Sequence, residues 1–335
     1  MIFTLDGPRD TTTTNRAMAT ISSSSLPQPR VMSIQSHVVH GNVGNKCAVF
    51  PLMLLGFEVD PIYSVQFSNH TGYPKFTGTV FDGVHLQSLL RGLVDNGLLP
   101  GYTHLLTGYI GSVTMLEAIV GVVEKVKEAN QGQLTYVCDP VMGDEGKLYC
   151  PPEMVDAYRS KLLPLACVMV PNAYEAELLA ECGPISCLKE GLAACDTLHQ
   201  LGPHTVVITS ISLPGDTAYI TLLASTTQPQ LAGPAAQKLS LRIPRIPAYF
   251  TGTGDLMAAL LLAWLHLYPG DLQTAVERTV AGLQAVLEAT AEACGPAALN
   301  ADRTAAVCAA RELRLVQNQH HLVKPPIKLH CERLG

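Results

Sequence analysis

The segment Phe250-Thr251-Gly252-Thr253-Gly254-Asp255 runs straight into an apolar stretch of helical character. Its two glycines carry no Cβ, so backbone N–H groups there can approach a ligand closely. A helix N-terminus adds aligned N–H donors and the positive end of a dipole. Gly252, Thr253 and Gly254 therefore read as an anion hole built without Lys or Arg. Asp255 stands among these donors. A carboxylate at that place either caps the helix, for which Asp is a preferred residue, or takes a proton from a substrate hydroxyl attacking a phosphoryl group. Phosphoryl transfer asks mainly for positioning and charge stabilisation, so one carboxylate beside an anion hole is sufficient equipment.

Further polar residues stand at the ends of short apolar, β-branched runs: Ser36-His37, Ser68-Asn69-His70-Thr71-Gly72-Tyr73, Thr107-Gly108-Tyr109, Asp139-Pro140, Pro171-Asn172 and Thr209-Ser210. Any one of these could be an ordinary polar loop; six in succession suggest one polar rim. The preceding runs read as strands over residues 31–35, 58–67, 104–107, 134–138, 168–170 and 205–209. Between them, residues 84–94, 113–127, 173–180 and 191–201 repeat apolar positions at helical spacing. Such alternation predicts βαβ units and a mostly parallel sheet covered by helices. Ligands of these sheets sit outside the carboxyl ends of the strands, where the polar residues gather. Residues 211–248 break the pattern, with antiparallel strands expected over 219–223 and 239–243. Two strong helices follow, over 254–266 and 272–292, and residues 324–335 read as an extended tail.

Composition narrows the function classes. Charged residues are 15% and hydrophobic residues 47%, which excludes global disorder. With 22 Lys+Arg against 28 Asp+Glu, the net charge of −6 offers no basic excess for nucleic acid. The most apolar run, Leu256 to Leu265, is about half the roughly 20 residues a membrane span needs. The ten cysteines form no C-x-x-C pair and read as reduced small hydrophobes of a cytoplasmic protein. Residues 1–29 differ in composition: a disordered leader or, read from Met18, an organellar transit peptide. Neither a P-loop nor a dinucleotide fingerprint is present, since His40-Gly41-Asn42-Val43-Gly44 fits neither pattern.

Several separate segments resemble the pyridoxal kinases of the ribokinase-like superfamily: Ser33-Ile34-Gln35-Ser36-His37 with Gly41 and Val43-Gly44-Asn45, Ser64 to Tyr73, Leu106 to Tyr109, Tyr136 to Asp144, Val206 to Ser210 and Thr251 to Asp255. The resemblance spans Arg30 to about Gln319. It implies a three-layer α/β/α sandwich over residues 30–323 and an ATP-dependent kinase acting on the 5′-hydroxymethyl group of pyridoxal, pyridoxine and pyridoxamine. By the same resemblance Ser36, Thr71 and Tyr109 contact the vitamin, and Val43, Val65, Phe67 and His70 shape the pocket around its ring. Asp139, Asp144, Tyr149, Asn172, Glu175, Thr209, Ser210 and Gly254 serve ATP. Mg²⁺ lies near Asp139, Asp144 and Glu175, with a monovalent cation, K⁺ or Na⁺, beside the phosphates. A homodimer is implied as well. Val170 stands where the family often has Thr, which removes a hydroxyl, and Ala173 stands where Gln is usual. The alternatives are a ribokinase-like kinase of hydroxymethylpyrimidine or a sugar, and a carrier that binds pyridoxal 5′-phosphate without turnover.

Overall fold

The computed structural model describes residues 28–228, 237–299 and 301–334. The predicted leader, residues 1–29, thus lies outside the described residues except for its last two. The chain enters at β1 (Arg30–Val38) and continues through α1 (Asn45–Leu54), β2 (Glu58–Phe67), β3 (Gly78–Val80), α2 (Gly83–Asp95), β4 (His104–Thr107), α3 (Val113–Ala129) and β5 (Thr135–Cys138). A two-stranded flap of β6 (Gly143–Asp144) and β7 (Lys147–Leu148) precedes α4 (Glu153–Ala157) and β8 (Val168–Met169). Then come α5 (Ala173–Ala180), α6 (Leu188–Leu201), β9 (Thr205–Ile211), β10 (Tyr219–Thr226) and β11 (Gln237–Pro244). The C-terminal part holds α7 (Thr253–Leu267), α8 (Leu272–Leu299), α9 (Ala305–Ala310), α10 (Gln319–Val323) and β12 (Glu332–Leu334).

One ten-stranded sheet runs β12-β11-β10-β9-β8-β5-β4-β1-β2-β3. The pairs from β9 to β2 are parallel, while β3 at one edge and β10 to β12 at the other are antiparallel. Period-two alternation builds the layers, because successive strand side chains point to opposite faces. In β1, Met32 and Ile34 enter the core under α2, α3, α5 and α6, whereas Val31 enters the core under α1, α7 and α8. Leu105 and Leu106 divide in the same way, as do Tyr136 and Val137. This is the expected α/β/α sandwich. α7 is buried along nearly all of Leu256–Trp264, which explains its apolar sequence without a membrane. No helix among the described residues is long and apolar enough to cross a bilayer.

Several elements depart from the sequence reading. α1 was not expected: Gly44 caps it without a side-chain hydrogen bond, its first turn has no acid, and Pro51 lies inside it. α8 runs on beyond residue 292 and breaks at Gly295, whose φ of 71° no ordinary helix holds. The residues read as an extended tail contribute β12, which pairs with Lys238 to Ser240 of β11. Glu277 of α8 fastens this segment by accepting the Cys331 N–H at 2.9 Å.

After β2 the chain turns back across β1, so β1 has β2 on one side and β4 on the other. That reversal opens a crevice at the carboxyl ends of β1 and β4. The six polar segments follow β1, β2, β4, β5, β8 and β9, whose parallel course brings them to the same end of the sheet.

Candidate active site

The turn before α7 is held open by its glycines. Gly252 adopts φ 89° and caps the helix with no side-chain hydrogen bond, so the first N–H groups are left for a ligand. A Cβ on Gly252 would fall 2.4 Å from the Asn42 carbonyl oxygen. Gly254 is exposed, and a Cβ there would come 3.7 Å from Asp139 Oδ2. The end of β5 therefore lies against the start of α7.

Asp255 does not cap its helix. Its Oδ2 accepts the Gly44 N–H at 2.6 Å, reaching from α7 to the turn between β1 and α1. Gly44 itself has φ 54° and passes so close to Ser36 that a Cβ would lie 2.1 Å from the Ser36 carbonyl. Burial raises the Asp255 carboxyl above its ordinary value, and the Gly44 N–H pulls it part of the way back.

Asp139 is 5% exposed, and its Oδ2 has no hydrogen-bond partner. Burial, then the charges of Glu175 and Asp255, raise its carboxyl well above the usual range. Glu175 is also buried, but it is saturated. It accepts N–H bonds from Met142, Gly143 and Asn172, and Asn172 caps α5 in return through the Glu175 N–H. Glu175, expected beside ATP and Mg²⁺, thus anchors the flap at 142–143. Asp144, at the flap's tip, accepts the Glu145 N–H, and burial raises its carboxyl. Tyr149 stays 52% exposed and meets Tyr249 across the cleft. Thr209 and Ser210 end β9, where the Thr209 N–H binds the Pro171 carbonyl. Among the described residues no three acidic, His or Cys groups form a ready metal cage. What the site does hold is a set of neighbouring carboxylates with one unpartnered oxygen, a donor set that suits a hard cation such as Mg²⁺.

The opposite wall comes from β2 and the turn after β4. Ser64 Oγ donates to the Tyr109 carbonyl at 2.6 Å and ties the two together. Val65 and Tyr109 both line the space around Gly111, Val43 is buried nearby on the β1–α1 turn, and Phe67 packs on Phe76 at 5.1 Å. Thr71 is exposed, facing out of the loop after β2, while His70 is buried. A Cβ on Gly72 would approach Thr251 Oγ1 to 3.3 Å, so this loop abuts the anion-hole turn. A small pocket continues beside it, lined by His70, Gly72, Tyr249, Thr251, Arg303 and Cys308.

Two residues escape sequence reasoning. Glu312 accepts the Asn42 N–H at 2.7 Å and the Tyr73 hydroxyl at 3.0 Å, and it meets His70 Nε2 at 3.2 Å. Asn42 also donates its side chain to the Leu313 carbonyl at 2.8 Å. No local motif marks Glu312, which lies far along the chain from both loops it holds.

Comparison with known proteins agrees with this geometry. The family model described as phosphomethylpyrimidine kinase matches residues 104–298. A pyridoxal kinase of Arabidopsis thaliana is 50% identical over 304 residues, covering 91% of this chain and 94% of its own. A pyridoxal kinase of Homo sapiens is 42% identical, covering 89% and 96%. Among solved structures, the pyridoxal kinase of Leishmania donovani in complex with ADP and pyridoxamine superposes with a TM-score of 0.83 at 36% identity, covering 91% of this chain and 99% of that one.

Proposed function

The chain belongs to the pyridoxal kinase family, and on that premise we propose that it transfers a phosphoryl group from ATP to the 5′-hydroxymethyl group of pyridoxal, pyridoxine and pyridoxamine. The observation that carries the reading is the Asp255 carboxylate, pinned by the Gly44 N–H at the mouth of an uncapped, glycine-flanked helix N-terminus. Its Oδ2 is engaged, which leaves Oδ1 for the substrate hydroxyl. Asp255 takes the hydroxyl proton as that oxygen attacks the γ-phosphorus. The bond from the γ-phosphorus to ADP breaks, and ADP leaves with the electron pair. The N–H groups of Gly252, Thr253 and Gly254 hold the oxygens of the transferring group, whose charge is greatest as it passes.

Ser36, Thr71 and Tyr109 fix the vitamin's polar edge, while Val43, Val65, Phe67 and His70 form the wall around its ring. Apolar walls with a few convergent polar groups are what a flat pyridine requires. Tyr149, Asn172, Thr209 and Ser210 serve the nucleotide. Mg²⁺ would be held by Asp139 and Asp144, with the Glu175 charge behind them, and would neutralise phosphate charge. A K⁺ or Na⁺ ion beside the phosphates, a homodimer, and a cytoplasmic location or organellar delivery by residues 1–29 belong to the same proposal. The Ser64–Tyr73 segment favours pyridoxal over hydroxymethylpyrimidine as substrate.

The test is Asp255→Asn. Pyridoxal phosphorylation should fall by about a hundredfold or more, the scale of general-base catalysis, while ATP binding persists. Near-normal turnover would overturn the assignment of the base.

A further inference from the structure

Glu312 sits where three separate pieces of the chain meet, and its side chain is only 13% exposed. It follows α9, yet its contacts are with the β1–α1 turn and with the loop after β2. On one side its Oε2 accepts the Asn42 N–H. On the other its Oε1 faces the Tyr73 hydroxyl and His70 Nε2. Gly41 must be glycine for this approach, since a Cβ there would lie 2.2 Å from Glu312 Oε1. Burial alone would raise the Glu312 carboxyl; hydrogen bonds from His70, Asn42 and Tyr73 outweigh it and hold the group below its ordinary value. A carboxylate with donors on both oxygens is the stable form.

The His70 ring shows what this contact sets. The Gly72 N–H donates to Nδ1 at 3.1 Å, so Nδ1 is an acceptor and carries no proton. The ring proton then sits on Nε2, directed at Glu312. Both nitrogens of His70 are thereby used within the protein, and the ring is locked in one tautomer and one orientation. Asn42 is locked as fully: its N–H on Glu312, its side chain on Leu313, and its carbonyl accepting the Cys47 thiol at 3.0 Å. Two residues on, Gly44 presents the N–H that holds Asp255.

From this geometry we infer that Glu312 is a positioning residue for the kinase reaction: it fixes the His70 ring against the vitamin pocket and, through Asn42, the turn that orients Asp255. This rests on the pyridoxal kinase reading. It adds a function for a residue that touches neither substrate.

Glu312→Gln keeps the size of the side chain but sets an NH₂ group against donors. Hydrogen bonds to charged groups are strong enough that the KM for pyridoxal should rise about tenfold, while the KM for ATP changes less than about twofold. Nitrogen-15 spectra of histidine-labelled full-length protein should show His70 leaving the pure Nε2–H tautomer. A lower melting temperature with an unchanged pyridoxal KM and unchanged His70 signals would overturn the inference, because a merely structural role predicts that result. Should the Gln variant not fold, Tyr73→Phe removes one donor and leaves the carboxylate on His70 and Asn42. A pyridoxal KM raised about threefold then supports the inference, and an unchanged one overturns it. Wild-type turnover of pyridoxal is the control. Its absence would refute the substrate reading, and the His70 signals of the two proteins would still decide the role of Glu312.

Discussion

Asp139 is a buried carboxyl with no positive partner, and replacing it should make the metal-free protein more stable while making the enzyme worse. Its side chain is buried, Oδ2 has no donor, and Glu175 and Asp255 repel it. A buried polar group left unsatisfied costs about 1–3 kcal/mol, and more when charged. Asp139→Asn keeps the shape and removes the charge, so roughly 2 kcal/mol should be recovered at pH 8. In a domain of this size each kcal/mol moves Tm by roughly 2 °C, giving a rise of about 4 °C. The direction of the pKa shift fixes the pH dependence. A carboxyl raised in the folded state binds its proton more readily there than when unfolded. Folded stability therefore falls as pH rises from the ordinary aspartate range through the raised value. As pH is lowered from 8 to 5, protonation increasingly relieves the penalty, and the advantage of Asn should shrink. Thermal melts in EDTA at both pH values measure this. In parallel, the Mg²⁺ concentration for half-maximal pyridoxal phosphorylation should rise by about tenfold or more. A variant less stable than wild type at pH 8, or one with equal gains at both pH values, would refute the picture of a buried carboxyl destabilised by burial and by its acidic neighbours.

Two further outcomes follow from the same geometry. Gly44→Ala should lower Tm by roughly 4 °C, through about 2 kcal/mol of strain at a positive φ, and should cut kcat more than it raises the KM for ATP; steady-state kinetics with unchanged kcat would show that the Gly44 contact to Asp255 is dispensable. The acid limb of kcat/KM for pyridoxal should lie above the ordinary aspartate value of about 3.9, since Asp255 must be ionised to act and burial raises it; a limb at or below that value would count against Asp255 as the base.

What could be read from sequence was local. β2 and β4 came out at their observed bounds because their runs are bracketed by turn residues, and α5 because residues 173–180 repeat apolar positions at helical spacing, to which the structure adds a capping box of Asn172 and Glu175. The turn into α7 was legible for the same reason: glycines and an acid precede an apolar helix within six residues. α1 was not, since a helix that starts on an uncapped Gly44 and contains Pro51 carries none of the usual signals. Its stability comes from packing Ala48 and Leu52 against the sheet. Glu175 was placed at the nucleotide and metal site by resemblance alone, because the N–H groups of Met142 and Gly143 that it accepts belong to a flap adjacent only in space. Glu312 is the extreme case, separated from Asn42 by 270 positions. Patterns of period two or 3.6 describe neighbours, and no such pattern can report a contact between residues 270 positions apart.

That long reach has a consequence for synthesis. A ribosome delivers β1 first and Glu312 late, so a growing chain can bury the sheet's central strands before the turn at Asn42 has anything to close on. Until then the turn that carries the Gly44 N–H lacks the Glu312 carboxylate to which Asn42 donates. The contact between Glu312 and the Asn42 turn is therefore a late acquisition of the fold, made only once the C-terminal segment has been synthesised.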